Sequence, residues 1–211
     1  NGVNEEYVVY NPGAVPALLR LTFGSAAGGQ QPLGFTVAPA SVRAIVTNSQ
    51  PEVPQGSPHD ASLISTNGVP VVAERTVAAV APSARTGLGG LLGATVTARR
   101  WLVGDGGGSS NHLDQWVVVQ VPGFLPATVA IDEVAGGGLR PLTGLGSIPV
   151  RAGQRVAVDV TARLGGAAPG PLVVVGSRPL VVERDLYGVG APGISLALGV
   201  PLSGLEGPLS G

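Results

Sequence analysis

The chain of 211 residues contains no cysteine, no methionine and no lysine. Without cysteine there is no disulfide framework and no thiolate metal site. Cysteine absence also suits a secreted or envelope protein, in which free thiols would misoxidise. Histidine occurs twice, which leaves little for an imidazole metal site. Charge is scarce as well: 12% of residues are charged and the net charge is −1. No basic field is present to attract phosphate backbones, which argues against nucleic acid as a partner. No apolar run reaches the roughly 18 to 20 residues needed to span a bilayer as a helix. No secretory leader opens the chain; a start at Asn1-Gly2 without Met is expected of a fragment or mature segment, with any export signal or anchor outside it. Helical periodicity over a useful length is missing too.

What is present is small and apolar. Hydrophobic residues make up 44% of the chain, enough to offset the ordering entropy of a folded core despite 34 Gly and 19 Pro. Gly and Pro punctuate short apolar runs, the pattern of all-β domains with many turns. With arginine as the only basic side chain beside the two His, and Ala, Gly, Val and Pro abundant, the composition points to a GC-rich genome.

The chain repeats itself. Pro70-Val-Val-Ala-Glu-Arg-Thr-Val77 returns as Pro179-Leu-Val-Val-Glu-Arg-Asp-Leu186, and Pro12-Gly-Ala-Val-Pro-Ala17 as Pro122-Gly-Phe-Leu-Pro-Ala127. Two motifs in the same order, both shifted by about 110 residues, mean two copies of one module of ordinary domain size. The copies are expected over 1–99 and 100–204, with a tail over 205–211 and fraying from Leu202. The fold class expected is all-β: two tandem Ig-like antiparallel sandwiches.

Strands are expected over Tyr7–Tyr10, Ala17–Phe23, Leu33–Val37, Ser41–Val46, Ala61–Ser65 and Val69–Val77. In the second copy they are expected over Ala94–Val103, Asp114–Val121, Thr128–Val134, Ser147–Val150, Arg155–Val160, Leu172–Val175, Arg178–Leu186 and Ile194–Leu198. Asn11-Pro12-Gly13 reads as a turn, with positive φ at the Gly. Gly24–Gln31, Asn48–Asp60 and Gly104–Asn111 read as loops, and Ala78–Gly93 as irregular, with a helical turn conceivable at Leu88, Leu91 and Leu92.

Neighbours on a strand face opposite ways, so Glu74 and Arg75 cannot both look inward, nor can Glu183 and Arg184. The row Val71, Ala73, Arg75, Val77 is the more apolar, as is Leu180, Val182, Arg184, Leu186. Each Arg is expected to pack its stem at the core edge and to present its head to a carboxylate or backbone carbonyl. These four residues read as structural ion pairs rather than a ligand clamp, because a charge at a core edge needs a partner.

Trp101 and Trp116, with Arg99 and Arg100 beside the first, are the candidate ligand residues. Aromatics near Arg stack on sugar rings or anchor a protein interface. Set against this is a structural role: aromatics are only 4% of the chain, so both Trp are valuable as core fillers. His59-Asp60 with Ser57 nearby suggests a hydrolase only superficially, since a triad needs three converging groups and an oxyanion hole. Asp105, Asn111 and Asp114 could offer oxygens to calcium but lack EF-hand spacing, and a flexible linker is favoured. Gly87-x-Gly-x-x-x-Gly93 lacks the lysine of a phosphate loop. No catalytic residue, metal or cofactor is expected.

The run Trp101-Leu-Val-Gly-Asp-Gly-Gly-Gly108, the run Asp114-Gln-Trp-Val-Val-Val-Gln-Val-Pro-Gly123 and the later Glu-Arg strand resemble a repeat of actinobacterial exported proteins, a family of unknown function. Its strand-end Asn-Pro-Gly is matched by Asn11-Pro12-Gly13, and its Val-Val-Glu-Arg by Glu74-Arg75 and Glu183-Arg184. The second copy departs, with Val121 in place of the Asn. The resemblance covers nearly the whole chain, through short motifs. It implies an exported, β-sandwich, non-enzymatic envelope protein and supplies no catalytic residues. In that repeat the Trp-Leu-Val strand comes first, so the first copy here is expected to lack its opening strand or to take a substitute. The expected role is a structural or adhesive module that docks an envelope protein. The alternative is a carbohydrate-binding module for cell-wall polysaccharide, and self-association through strand edges is a further possibility.

Overall fold

The structure, a computed structural model, describes residues 2–25, 30–53 and 56–203. The expected tail over 205–211 lies outside the described residues. The chain is all-β and antiparallel, and it divides into two compact units, Asn1–Gly93 and Ala94–Gly211. The division falls ahead of the expected border at residue 99, because Ala98 and Arg99 belong to the first strand of the second unit.

The first unit contains β1 (Val3–Asn11), β2 (Ala17–Ser25), β3 (Gln30–Val37), β4 (Ser41–Val46), β5 (His59–Ser65), β6 (Val72–Ala79) and β7 (Gly87–Leu92). One sheet has the order β4-β1-β6-β7, the other β3-β2-β5. Alternation explains the layers. On β1 the row Tyr7, Val9, Asn11 is buried, while Tyr10 on the other row is exposed. Tyr7, Val9 and Ile45 of one sheet share a core with Leu19, Leu21, Phe23, Phe35 and Val37 of the other. This is a sandwich-like arrangement of two layers.

The second unit contains β8 (Ala98–Val103), β9 (Leu113–Gln120), β10 (Ala127–Ala135), β11 (Gly138–Pro141), β12 (Ile148–Val150), β13 (Arg155–Asp159), a one-turn helix α1 (Val160–Arg163), β14 (Leu172–Gly188), β15 (Ile194–Leu198) and β16 (Val200–Ser203). The 17-residue β14 serves two layers. Its first part pairs with β10 and β8, and its second part with β9 and β15. The core between them holds Trp101, Val117, Val119, Ile131, Leu145, Val174 and Leu180.

The repeat is visible in the pairing register. Tyr7 faces Arg75 across β1 and β6, as Val117 faces Arg184 across β9 and β14. Leu21 faces Leu63 across β2 and β5, as Ile131 faces Val174 across β10 and β14. So β5 corresponds to the first part of β14 and β6 to its second part. The copies part company at β8. It lies along the first part of β14, with Trp101 opposite Val174. Along β5 no equivalent strand is found among the described residues, and β5 ends its sheet.

Several expectations are corrected. Ala78–Gly93 is not irregular: β7 runs through it, and Leu88, Leu91 and Leu92 are extended opposite Ala78, Arg75 and Glu74. Its glycines hid the strand; at Gly90 a Cβ would stand 2.7 Å from Glu74 Oε1, the mobile end of that side chain. Leu172–Val175 and Arg178–Leu186 are one strand, not two. β11 was not foreseen, although Gly136 and Gly137, with φ of 60° and 80°, form the two-residue turn that makes it. α1 replaces the end of an expected strand, because Asp159 Oδ1 accepts from the Ala162 N–H and caps it. Leu202 belongs to β16 instead of a frayed tail. Of the expected Gly24–Gln31 loop, Gly24 and Ser25 belong to β2 and Gln30 and Gln31 to β3, and 26–29 lie outside the described residues. The positive φ of the turn belongs to Gly123 at 90°, not to Gly13. Gly13 instead donates its N–H to Asn11 Oδ1.

Candidate functional site

In the first unit the inward row of β1 carries a carboxylate. Glu5 precedes Tyr7 and Val9 on the face that meets the other sheet. His59, the first residue of β5, comes from that other sheet and places Nε2 2.6 Å from Glu5 Oε2. Arg75 on β6 brings Nε to 3.7 Å from Glu5 Oε1, and the Tyr7 hydroxyl donates to the same oxygen at 3.3 Å. Phe23 closes the cluster from beneath, edge-on to both Tyr7 and His59 with ring centroids 5.8 Å apart in each case. Both partners are largely buried, with the side chains of His59 and Glu5 13% and 12% exposed.

Burial pushes the Glu5 carboxyl up, but the hydrogen bond and charge of His59, the Arg75 guanidinium and the Tyr7 hydroxyl outweigh it and hold the group below the usual carboxylate range. The Tyr7 phenol is raised well above its ordinary range, first by burial and then by the Glu5 charge. His59 Nδ1 lies 3.2 Å from the Ser57 carbonyl oxygen. Both ring nitrogens thus lie near acceptor oxygens, Nε2 by Glu5 and Nδ1 by Ser57. Ser57 contributes its backbone oxygen here rather than its hydroxyl.

The same positions in the second unit do something else. Gln115 replaces Glu5 and is fully buried. Its Oε1 accepts from Gly107 N–H at 2.9 Å and its Nε2 donates to Gly104 O at 3.3 Å. Arg184, the counterpart of Arg75, donates from Nη1 to Asp105 O at 2.7 Å. The Gly104–Asn111 loop is thus fastened to the sandwich, which corrects the flexible-linker expectation. Gly107 is required for the close approach, since a Cβ there would fall 2.1 Å from Gln115 Cβ. Among the described residues no group of three or more His, Asp or Glu stands where it could hold a metal ion.

The two Trp are not brought together. Trp101 is 1% exposed and donates from Nε1 to the carbonyl oxygens of Ala98 and Leu180, both at 3.0 Å. It is a core pin. Trp116 lies on the opposite face of β9 from Val117 and Val119 and is half-buried. Its cross-strand neighbours are Asp185 on β14 and Asp159 on β13. Arg99 is exposed and donates from Nη1 to Ser177 O at 2.9 Å, and Arg100 is exposed. Glu74 stands over Gly90, while Glu183 lies between Val118 and Leu198. Of the repeated motif, Arg75 meets the Glu5 carboxylate and Arg184 the Asp105 carbonyl oxygen.

Sequence reasoning missed Glu5, Tyr7 and Gln115. The signal was a polar residue in the inward phase of an otherwise apolar row, at the same place in both copies. Searched against protein-family models, curated proteins and solved structures, the chain matches none.

Proposed function

We propose that the protein is a non-catalytic structural or adhesive module, outside the cytoplasm or on the cell envelope, that docks other proteins. The observation that carries the reading is the end of the first unit's smaller sheet. β5 is an edge strand there, whereas its counterpart in the second unit is covered by β8. A strand edge recruits protein through backbone hydrogen bonds. The outer face of the larger sheet adds an apolar cross-strand row, Val42, Tyr10 and Val72, exposed by 61, 42 and 48%. The extracellular setting rests on the cysteine-free composition and on the resemblance of the Trp101–Gly108 and Glu-Arg segments to exported proteins.

The test is photo-crosslinking in the native host from a benzophenone side chain placed at Ile64 on β5. A discrete protein adduct, lost when the strand edge is blocked, is expected. Adducts confined to polysaccharide would overturn the docking reading.

A second reading, carbohydrate binding, draws on Trp116 with Asp185 and Asp159 across neighbouring strands. Asp185 is buried and accepts from the Tyr187 hydroxyl, and Asp159 caps α1, so the reading rests on the half-buried indole, whose face is of the kind that stacks on a sugar ring. Trp116→Ala should then abolish retention on cell-wall polysaccharide while leaving the fold intact. Unchanged retention would end that reading.

A further inference from the structure

The structure assigns β5 as the seat for an extended polypeptide strand of the same chemistry as β8, supplied by a partner: a small residue, a Trp three positions on and a Val two beyond that, followed by a glycine-rich loop. The inference rests on the docking reading and names its occupant.

The second unit shows what such a seat looks like when filled. β8 pairs with β14 through Val103–Leu172, Leu102–Val173, Trp101–Val174 and Arg100–Val175. The matching positions on β5 follow from the pairing of both strands with their other neighbours. Phe23 faces Ala61, as Glu133 faces Leu172. Thr22 faces Ser62 as Asp132 faces Val173, Leu21 faces Leu63 as Ile131 faces Val174, and Arg20 faces Ile64 as Ala130 faces Val175. A strand laid on β5 in the β8 register therefore sets its Trp opposite Leu63 and its last Val opposite Ala61.

The backbone is oriented for it. The Thr66 N–H donates to Leu18 O. Residues on an antiparallel strand turn their N–H and C=O alternately to either side. Ile64 therefore turns toward β2 with Thr66, while Ala61 and Leu63 present both groups to the open edge. In the second unit Val134 N–H donates to Pro171 O, which fixes the same phase and points Leu172 and Val174 at β8.

The residues beyond the strand agree. In the second unit Gln115 and Arg184 hold the loop that follows β8, through Gly107, Gly104 and Asp105. At those positions the first unit has Glu5 and Arg75, which face each other and His59. His59 stands where the second unit has Gly170, at the end of β5 where such a loop would arrive. An incoming loop would meet a carboxylate able to accept a backbone N–H, as Gln115 Oε1 does, and a guanidinium able to donate to a carbonyl, as Arg184 does; the donation from Gln115 Nε2 to Gly104 O has no counterpart in Glu5.

The test uses the whole chain and a fluorescent synthetic peptide with the sequence of residues 96–108. Saturable binding by anisotropy is expected. Changing the peptide's Trp to Ala, or methylating the backbone nitrogens of its Trp and second Val, should each weaken binding at least ten-fold, because both act on the peptide and leave the protein untouched. Ala61→Pro removes an outward N–H at an edge position where proline is tolerated, and should weaken it by a similar factor. A folded chain that ignores the peptide, or binds the N-methylated form equally well, would overturn the strand seat. Concentration-dependent pairing of the chain, dissolved by Ala61→Pro and unaffected by the peptide, would overturn it in favour of a second copy. If the peptide fails while crosslinking still finds a protein partner, the docking reading stands and this occupant does not.

Discussion

Arg184 on β14 reaches out of its strand to the carbonyl oxygen of Asp105, 2.7 Å away, and so ties the segment after β8 to the far layer of its own unit. Arg75, at the same place in the first unit, turns to Glu5 instead. One position in the repeat thus serves two purposes, and what differs is the presence of a strand and loop to hold.

Arg184→Met should keep the buried stem and remove the hydrogen bond. A charged donor to a carbonyl at an exposed site contributes about 0.5–1.5 kcal/mol. Urea unfolding should show a loss of about that size, and the Gly107 amide should exchange its proton faster. Unchanged exchange at Gly107 would mean that Gln115 alone holds the loop.

Trp101 and Trp116 should separate cleanly in fluorescence. Trp101 is 1% exposed and its emission should be blue-shifted and inaccessible to iodide. Trp116→Phe should therefore remove nearly all quenchable signal, and Trp101→Phe should spare it. Trp101→Ala removes a fully buried indole and leaves two carbonyls without their donor, at a cost of about 3–5 kcal/mol.

Asn11→Ala should be destabilising out of proportion to its size. The side chain is fully buried, donates to the carbonyl oxygens of Val15, Val37 and Ala38, and accepts from Gly13 N–H. A loss of about 1–3 kcal/mol is expected from the buried groups left without a partner. Val121→Asn in the second unit, where no such turn is built around a side chain, should not be stabilising; a gain in melting temperature would contradict this account of the Asn-Pro-Gly turn.

Acid should act through Glu5. Its carboxyl titrates lower in the folded chain than the ordinary value of 4.5. The unfolded chain therefore binds the proton first as pH falls, so the contribution of the cluster is complete above about 4.5 and fades as pH drops through the folded value. Glu5→Gln should flatten that part of the stability–pH curve. Glu133 is lowered as well, by the Gly170 N–H and then Arg140, and so leaves a residual acid slope. A wild-type curve and a Glu5→Gln curve that run parallel below pH 4.5 would rule out the Glu5 contribution.

The sequence made some of this plain and concealed the rest for physical reasons. The Arg rows of β6 and β14 were readable because alternation is local: each apolar neighbour two residues away marks the inward face. The partners of those Arg were not readable, since Glu5 and Asp105 meet them only through the pairing of distant strands. β7 was hidden by its glycines, which carry no side-chain pattern and are strand residues because β6 supplies the ladder. Trp101 and Trp116 looked like one site because they are close in the chain. A layer of sandwich and a change of face separate them in space.

The continuity of β14 bears on how the molecule would respond to being pulled. A single backbone passes through both layers of the second unit, so tension along the chain loads the two layers through one shared member and they should yield as one event. In the first unit the corresponding strands, β5 and β6, are separate, with residues 66–71 between them. There the two layers are joined through a connection and not through one strand, so under tension they should separate in steps.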